Sequence, residues 1–234
     1  MTLLERIQSK DCKIGIIGQG YVGLPLALVF VEAGFPVIGL DLDNVKVAAL
    51  NRGESYIKHI GSERVSDALK TGRFSASADF DDLSMCEAVL ICVPTPLGPH
   101  REPDLSFVLD SSREVAKRLR KGQLVVLEST TYPGTTDEDV LPVLEATGLK
   151  TPDDFLLAFS PEREDPGNPK FHTKIIPKVV GGVNAPSTEA AVALIWNDLS
   201  STRITSHSNK QLSVAVEGTS ATVDHSDIRG LDTA

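Results

Sequence analysis

Short apolar runs alternate with stretches of helical periodicity through most of the chain. Residues 13–17 form a run too short for a helix, which predicts a buried strand. Over 21–33, Leu24, Leu26, Ala27, Leu28 and Phe30 give a broad apolar face, which predicts a helix stopped by Gly34. A second strand is predicted over 36–40, with Asp41 at its end. Asp43 can cap a helix over 44–51 that Gly53 ends, and Ser62 is expected to cap another over 63–71 before Gly72. A short third strand follows near Phe74. The most apolar run, 88–93, predicts a strand that leads into a proline-rich loop over 94–103. A helix over 107–119, a strand over 124–127, a turn-rich loop over 129–134, a helix including 140–147 and a strand over 155–159 complete the series. This alternation predicts an α/β fold, a doubly wound parallel sheet with helices on both faces.

The pattern changes after Trp196. Residues 197–234 are rich in Ser, Thr and Asp, and 212–216 is their only compact apolar cluster. The expectation is one domain over 1–196 and a divergent, poorly ordered tail over 197–234. A marginal strand at 212–216 is the competing reading.

Composition narrows the function. The 234 residues carry a formal net charge of −9, which argues against a general nucleic-acid surface. It leaves room for a phosphate ligand, because backbone N–H groups can hold one inside an acidic protein. Cys12, Cys86 and Cys92 have neither an even count nor metal-ligand spacing, so no disulfide framework and no metal are expected. Glu5, Arg6 and Lys10 interrupt the first apolar residues, so no secretory leader is expected. No apolar run approaches the roughly 18 residues of a membrane span. The cytoplasm, a reducing compartment, is the expected location.

Four loops, each after a predicted strand, carry the candidate chemistry. The first is Gly18-Gln19-Gly20-Tyr21-Val22-Gly23, which follows an apolar strand and opens a helix, with Asp41 at the end of the next strand. That is the context of the Rossmann dinucleotide fingerprint. Gly18 permits the tight turn, Gly20 lets a pyrophosphate approach the backbone, and Gly23 lets the helix pack closely. The helix N-terminus offers free N–H groups and partial positive charge. Asp41 can accept hydrogen bonds from ribose hydroxyls and would repel an extra phosphate. No arginine adjoins it, and Lys46 lies a few residues on, so NAD is expected rather than NADP.

The second loop is Val93-Pro94-Thr95-Pro96, which is either a ligand-facing loop or simply a stiff turn. The third, Glu128 to Thr136, brings Ser129, Thr130 and Thr131 to the same sheet edge, where they could serve a ligand or cap the following helix. The fourth, Ser160-Pro161-Glu162-Arg163-Glu164-Asp165-Pro166-Gly167, holds a carboxylate suited to a general base, or is an exposed acidic turn.

Together these segments resemble the UDP-glucose/GDP-mannose dehydrogenase family, nearest its bacterial UDP-N-acetylglucosamine or UDP-N-acetylmannosamine 6-dehydrogenase members. The likeness rests on GQGYVGLPLA at 18–27, CVPTPL at 92–97, LESTTYPGTT at 127–136, SPEREDPGN at 160–168 and PKVVGG at 177–182, and covers about 10–196. It implies an NAD-dependent four-electron oxidation of a UDP-sugar C6 alcohol to a uronate, through an aldehyde and a cysteine-bound thioester, in polysaccharide biosynthesis. It implies NAD contacts at Gly18, Gln19, Gly20, Tyr21, Val22, Gly23, Asp41, Val93, Pro94, Thr95, Ser129 and Thr130. Thr130 and Glu162 would order the hydrolytic water or act as acid and base. Arg163 and Glu164 stay unassigned.

The resemblance fades at Trp196. The family continues into a sugar-binding half with a cysteine in a glycine-rich loop, and no cysteine follows Cys92 here. Cys12 and Cys92 read as small buried hydrophobes, and Cys86 follows an acidic stretch that would raise its pKa. The expectation is a truncated chain that is inactive alone, or half of a split enzyme, with a homo-oligomer or a complementing chain as partner. The alternative is a non-catalytic NAD-binding or assembly module. A hydroxyacyl-CoA or phosphogluconate type of dehydrogenase fits the Pro-Thr-Pro and Ser-Thr-Thr loops less well.

Overall fold

The structure is a computed structural model that describes residues 1–98, 103–161 and 178–196, and the backbone of three strands beyond them. A short helix α1 (Leu3–Gln8) is closed by a capping box between Thr2 and Glu5. Then come β1 (Ile14–Ile17), α2 (Gly23–Glu32), β2 (Val37–Leu40), α3 (Asn44–Asn51), α4 (Ser62–Lys70) and β3 (Phe74–Ser77). A 3-10 turn over Phe80–Met85 leads to β4 (Ala88–Ile91), α5 (Ser106–Ala116) and β5 (Leu124–Leu127). A π-helical turn over Thr135–Val140 runs into α6 (Leu141–Glu145), followed by β6 (Leu156–Phe159), β7 (Lys178–Gly182) and α7 (Ala185–Trp196).

The strand order β3-β2-β1-β4-β5-β6 is parallel throughout and is the doubly wound order with its switch point between β1 and β4. β7 joins β6 antiparallel. Beyond it lie β8 (Thr202–His207), parallel to β7, then β9 (Gln211–Val216) and β10 (Thr219–Asp224), each antiparallel to its neighbour. The competing strand reading at 212–216 thus corresponds to β9. Residues 197–201, 208–210, 217–218 and 225–234 lie outside the described residues.

Alternation along each strand divides the core between the two faces. Ile14, Ile16, Leu90, Leu124 and Val126 pack with α2 and α7, while Ile17, Val89, Ile91, Val125 and Leu127 pack with α5 and α6. Burial on both sides is why these strands read as continuous apolar runs. The register pairs Ile17 with both Leu40 and Ile91, Ile91 with Leu127, and Leu127 with Phe159. Every parallel strand from β2 to β6 therefore ends at one level, and the loops that carry the candidate chemistry leave the sheet side by side.

Three readings change. Ser62 is the first helical residue of α4 rather than its cap, because Gly61 takes the extended N-cap conformation and the Ser62 hydroxyl accepts from the Ser55 N–H at 2.9 Å. The strand expected over 88–93 stops at Ile91, as the chain turns out of the ladder before Pro94. α1, β7 and α7 had no predicted counterpart. α7 is apolar almost all round and shows little of the one-sided periodicity that marks a surface helix.

Candidate functional site

The glycine-rich loop is fixed by sterics before any ligand enters. Gly18 has φ +90°, and a Cβ there would stand 2.6 Å from the Cys92 carbonyl oxygen. At Gly23 a Cβ would stand 1.8 Å from the Gly18 carbonyl oxygen, so α2 can start against the loop only with glycine at that position. A Cβ at Gly20 meets nothing within 4 Å. The three glycines therefore divide as expected: two for backbone packing, one facing open space. Among the described residues, the Gly20, Tyr21 and Val22 N–H groups donate to no protein acceptor. They sit at the N-terminus of α2, where the helix dipole favours an anion.

Gln19 is wholly buried and lies across β2, in the space left by Gly39, where a Cβ would come within 2.5 Å of its amide carbon. Its Nε2 donates to the Ile16 carbonyl at 2.9 Å. Asp41 receives the Gln19 N–H on Oδ2 and the Asp43 N–H on Oδ1, both at 2.9 Å. A carboxylate has about four acceptor positions, so two remain for ribose hydroxyls. Lys46, a few residues on in α3, stands 3.5 Å from Asp41 Oδ2. Asp43 caps α3 through the Val45 and Lys46 N–H groups, which leaves Asp41 for the site.

The loops after β4 and β5 are tied to one another. The Ser129 hydroxyl donates to the Val93 carbonyl at 2.8 Å, and the Thr95 hydroxyl donates to the Thr130 carbonyl at 2.7 Å. The ladder also runs past the strand ends, with the Gly18, Cys92, Glu128 and Ser160 N–H groups bonded to Leu40, Ile17, Ile91 and Leu127 carbonyls. Val93, Pro94, Thr95, Ser129 and Thr130 thus form a braced shelf beside the glycine-rich loop. Thr130 is exposed on it. Next to this shelf a cavity of about 280 Å³ is bounded by Thr131, Tyr132, Gly134, Asp137, Phe159 and Gly181, among others. Glu162 lies outside the described residues, as do Arg163 and Glu164.

The cysteines are not placed for covalent work. Cys12 and Cys86 are wholly buried and Cys92 is 5% exposed. Burial, more than any neighbouring charge, pushes the Cys12 and Cys86 thiols up to about 12. The acidic stretch blamed for Cys86 in the sequence contributes less than its burial does.

Sequence reasoning missed Tyr56, whose hydroxyl donates to the Gln19 carbonyl at 2.5 Å from a segment with no motif of its own. It also missed Gly39, although a glycine inside a strand is a signal of close approach by another group. The open face at Gly20, the unsatisfied amides at the start of α2 and the acceptor at Asp41 together fit a dinucleotide.

Residues 12–200 match the model of the UDP-glucose/GDP-mannose dehydrogenase family, NAD binding domain. The chain is 35% identical over 208 residues to the UDP-N-acetyl-D-glucosamine 6-dehydrogenase of Pseudomonas aeruginosa, covering 88% of this chain and 47% of that protein. The crystal structure of an NDP-N-acetyl-D-galactosaminuronic acid dehydrogenase from Methanosarcina mazei Go1 is similar, with a TM-score of 0.76 at 36% identity over 86% of this chain and 45% of that one. A UDP-D-ManNAc dehydrogenase from Pyrococcus horikoshii superposes with a TM-score of 0.78 at 32% identity over 83% of this chain and 47% of that one. The chain spans about half the length of the relatives it matches.

Proposed function

The chain belongs to the UDP-glucose/GDP-mannose dehydrogenase family and carries its NAD binding domain, and from this we propose that it serves the oxidation of a UDP-sugar C6 alcohol to a uronate. The observation that carries the proposal is the pairing of an open Gly20 with free amides at the start of α2 and with Asp41 at the end of β2. NAD supplies a hydride acceptor when bound. The chain's own residues then divide the work. The amides of 20–22 hold the pyrophosphate, Asp41 selects an unphosphorylated ribose, and Val93, Pro94, Thr95 and Ser129 form the shelf toward the reacting end. Thr130 and Glu162 are proposed to order a water or move its proton. The 280 Å³ cavity lined by Thr131, next in the chain to Thr130, is the space we assign to the sugar end of the substrate.

The whole reaction also needs a reactive thiolate and a far wall for the sugar. We assign those to a complementing part, on a longer chain or on a partner chain, with a homo-oligomer as one assembly that could hold them together. The buried thiols favour, for this chain in isolation, the second reading of a non-catalytic NAD-binding or assembly module. A cytoplasmic setting suits three buried cysteines. Among the described residues no helix is long and apolar enough to cross a membrane.

Calorimetric titration tests the cofactor assignment. NAD is expected to bind at least ten-fold more tightly than NADP. Hydrogen bonds to a charged acceptor contribute about 1.5–3 kcal/mol, so Asp41→Ala should weaken NAD binding by roughly ten-fold or more and narrow the gap to NADP. Equal affinity of the parent for both cofactors would overturn the assignment.

A further inference from the structure

The connection between α3 and α4, residues 53–61, lies outside every motif of the cofactor fingerprint, yet it grips the glycine-rich loop twice. The Tyr56 hydroxyl donates to the Gln19 carbonyl at 2.5 Å. The His59 ring stacks on Tyr21, with centroids 5.9 Å apart and planes 20° from parallel. Tyr56 is itself steadied by Lys46, whose Nζ stands 5.9 Å from the ring centroid and 3.5 Å from Asp41 Oδ2. Asp41 in turn accepts the Gln19 N–H. The result is a closed circuit, Asp41 to Gln19 to Tyr56 to Lys46 and back to Asp41.

We propose that Tyr56 is a positioning residue for the cofactor, acting through the Gln19–Gly20 peptide bond to aim the Gly20 N–H at the pyrophosphate. In a trans peptide the C=O and N–H groups lie in one plane and point in opposite directions. A hydroxyl that holds the Gln19 carbonyl on one side therefore fixes the Gly20 N–H on the other. A hydrogen bond accepted by the carbonyl also polarises the same peptide and makes its N–H the better donor. The Gly20 N–H has no protein acceptor among the described residues, so its direction follows the plane of this peptide. Gly20 has open space where a Cβ would stand, so a ligand can approach this side of the loop. Burial and the nearby Asp41 charge push the Tyr56 phenol up, so it stays protonated and remains a donor across the working pH range.

The inference rests on the NAD reading above, and its test separates the two. Tyr56→Phe deletes the hydroxyl and keeps the ring under Lys46. NAD and ADP-ribose are titrated calorimetrically, and adenosine, which lacks the pyrophosphate, by ligand-observed NMR. Both are done at a temperature where circular dichroism shows parent and variant fully folded. The variant should bind NAD and ADP-ribose about three- to ten-fold more weakly and adenosine within two-fold of the parent. In the ligand-free 15N spectrum, the Gly20 amide resonance should shift in Tyr56→Phe. His59→Ala, which leaves the hydroxyl in place, should change NAD affinity less than Tyr56→Phe. Unchanged NAD affinity in Tyr56→Phe would overturn the proposal. An equal loss for NAD and adenosine would also overturn it, because that is the mark of a merely structural role. A parent chain that binds no NAD would instead remove the cofactor reading itself.

Discussion

Gly20 and Gly23 stand three positions apart in one loop and answer to different constraints. A side chain at Gly20 enters open space on the ligand side, and one at Gly23 enters the Gly18 carbonyl. Gly20→Val should therefore leave the melting temperature of the ligand-free chain within a degree or two and abolish measurable NAD binding. Gly23→Ala should act on the fold, since overpacking against backbone costs about 1–3 kcal/mol. For a chain of this size each kcal/mol corresponds to roughly 2–4 °C, so a fall of several degrees is expected. Differential scanning calorimetry beside NAD titration reads both effects. A Gly20→Val variant that binds NAD like the parent would place the cofactor elsewhere. The steric demands at Gly18 and Gly23 were legible from spacing, because the fingerprint encodes contacts within one short loop. Tyr56 was not, because its partner is 37 residues away and only folding brings the two together.

At the level of elements, the shelf beyond β4 and β5 is held by two hydroxyl bonds that differ in burial. Ser129 is 3% exposed, and its hydroxyl bond to the half-buried Val93 carbonyl is partly shielded from water. Ser129→Ala should cost about 1–2 kcal/mol, because water reaches the half-buried acceptor less freely than an exposed one. The Thr95 to Thr130 bond is exposed, so water can replace it, and Thr95→Val should cost less than about 1 kcal/mol. Urea unfolding of both variants decides the point, and equal losses would show that burial is not what separates them. The strands themselves were readable because burial on both faces leaves an unbroken apolar run. The π-helical turn over Thr135–Val140 met the predicted helix only at Val140. Its extra residue per turn is a local accommodation to packing with no composition of its own, and such turns recur at functional sites.

For the whole molecule, the decisive quantity is the state of the three thiols. The four-electron oxidation implied by the family likeness needs a thiolate to hold the aldehyde carbon while hydride leaves. Cys12 and Cys86 are buried with thiols raised to about 12, and Cys92 is nearly buried at the end of β4. A purified 234-residue chain should therefore give no sustained NADH with NAD and UDP-N-acetylglucosamine, UDP-N-acetylmannosamine or UDP-glucose. Absorbance at the NADH band is the measurement. Steady formation of two NADH per uronate would refute the prediction and direct attention to a nucleophile among Cys12, Cys86 and Cys92. Activity restored by adding a chain with the complementary part would support a split enzyme.

The sequence by itself determined the doubly wound sheet, the position of the glycine-rich loop, the role of Asp43 as the cap of α3, and the set of loops that reach the sheet edge. These follow from local periodicity and from spacing within single βα units, where cause and effect lie within a few residues. Only the tertiary structure decided that Lys46 returns to Asp41, that Gly39 makes room for Gln19, that Tyr56 holds the Gln19 carbonyl, and that the Val93 and Thr130 loops brace each other. Apart from the Lys46 to Asp41 pair, which spans a single turn between β2 and α3, each is a contact between segments at least 20 residues apart along the chain. Such contacts depend on the parallel register that ends β1, β2, β4, β5 and β6 at one level, and that register comes from packing the whole sheet at once.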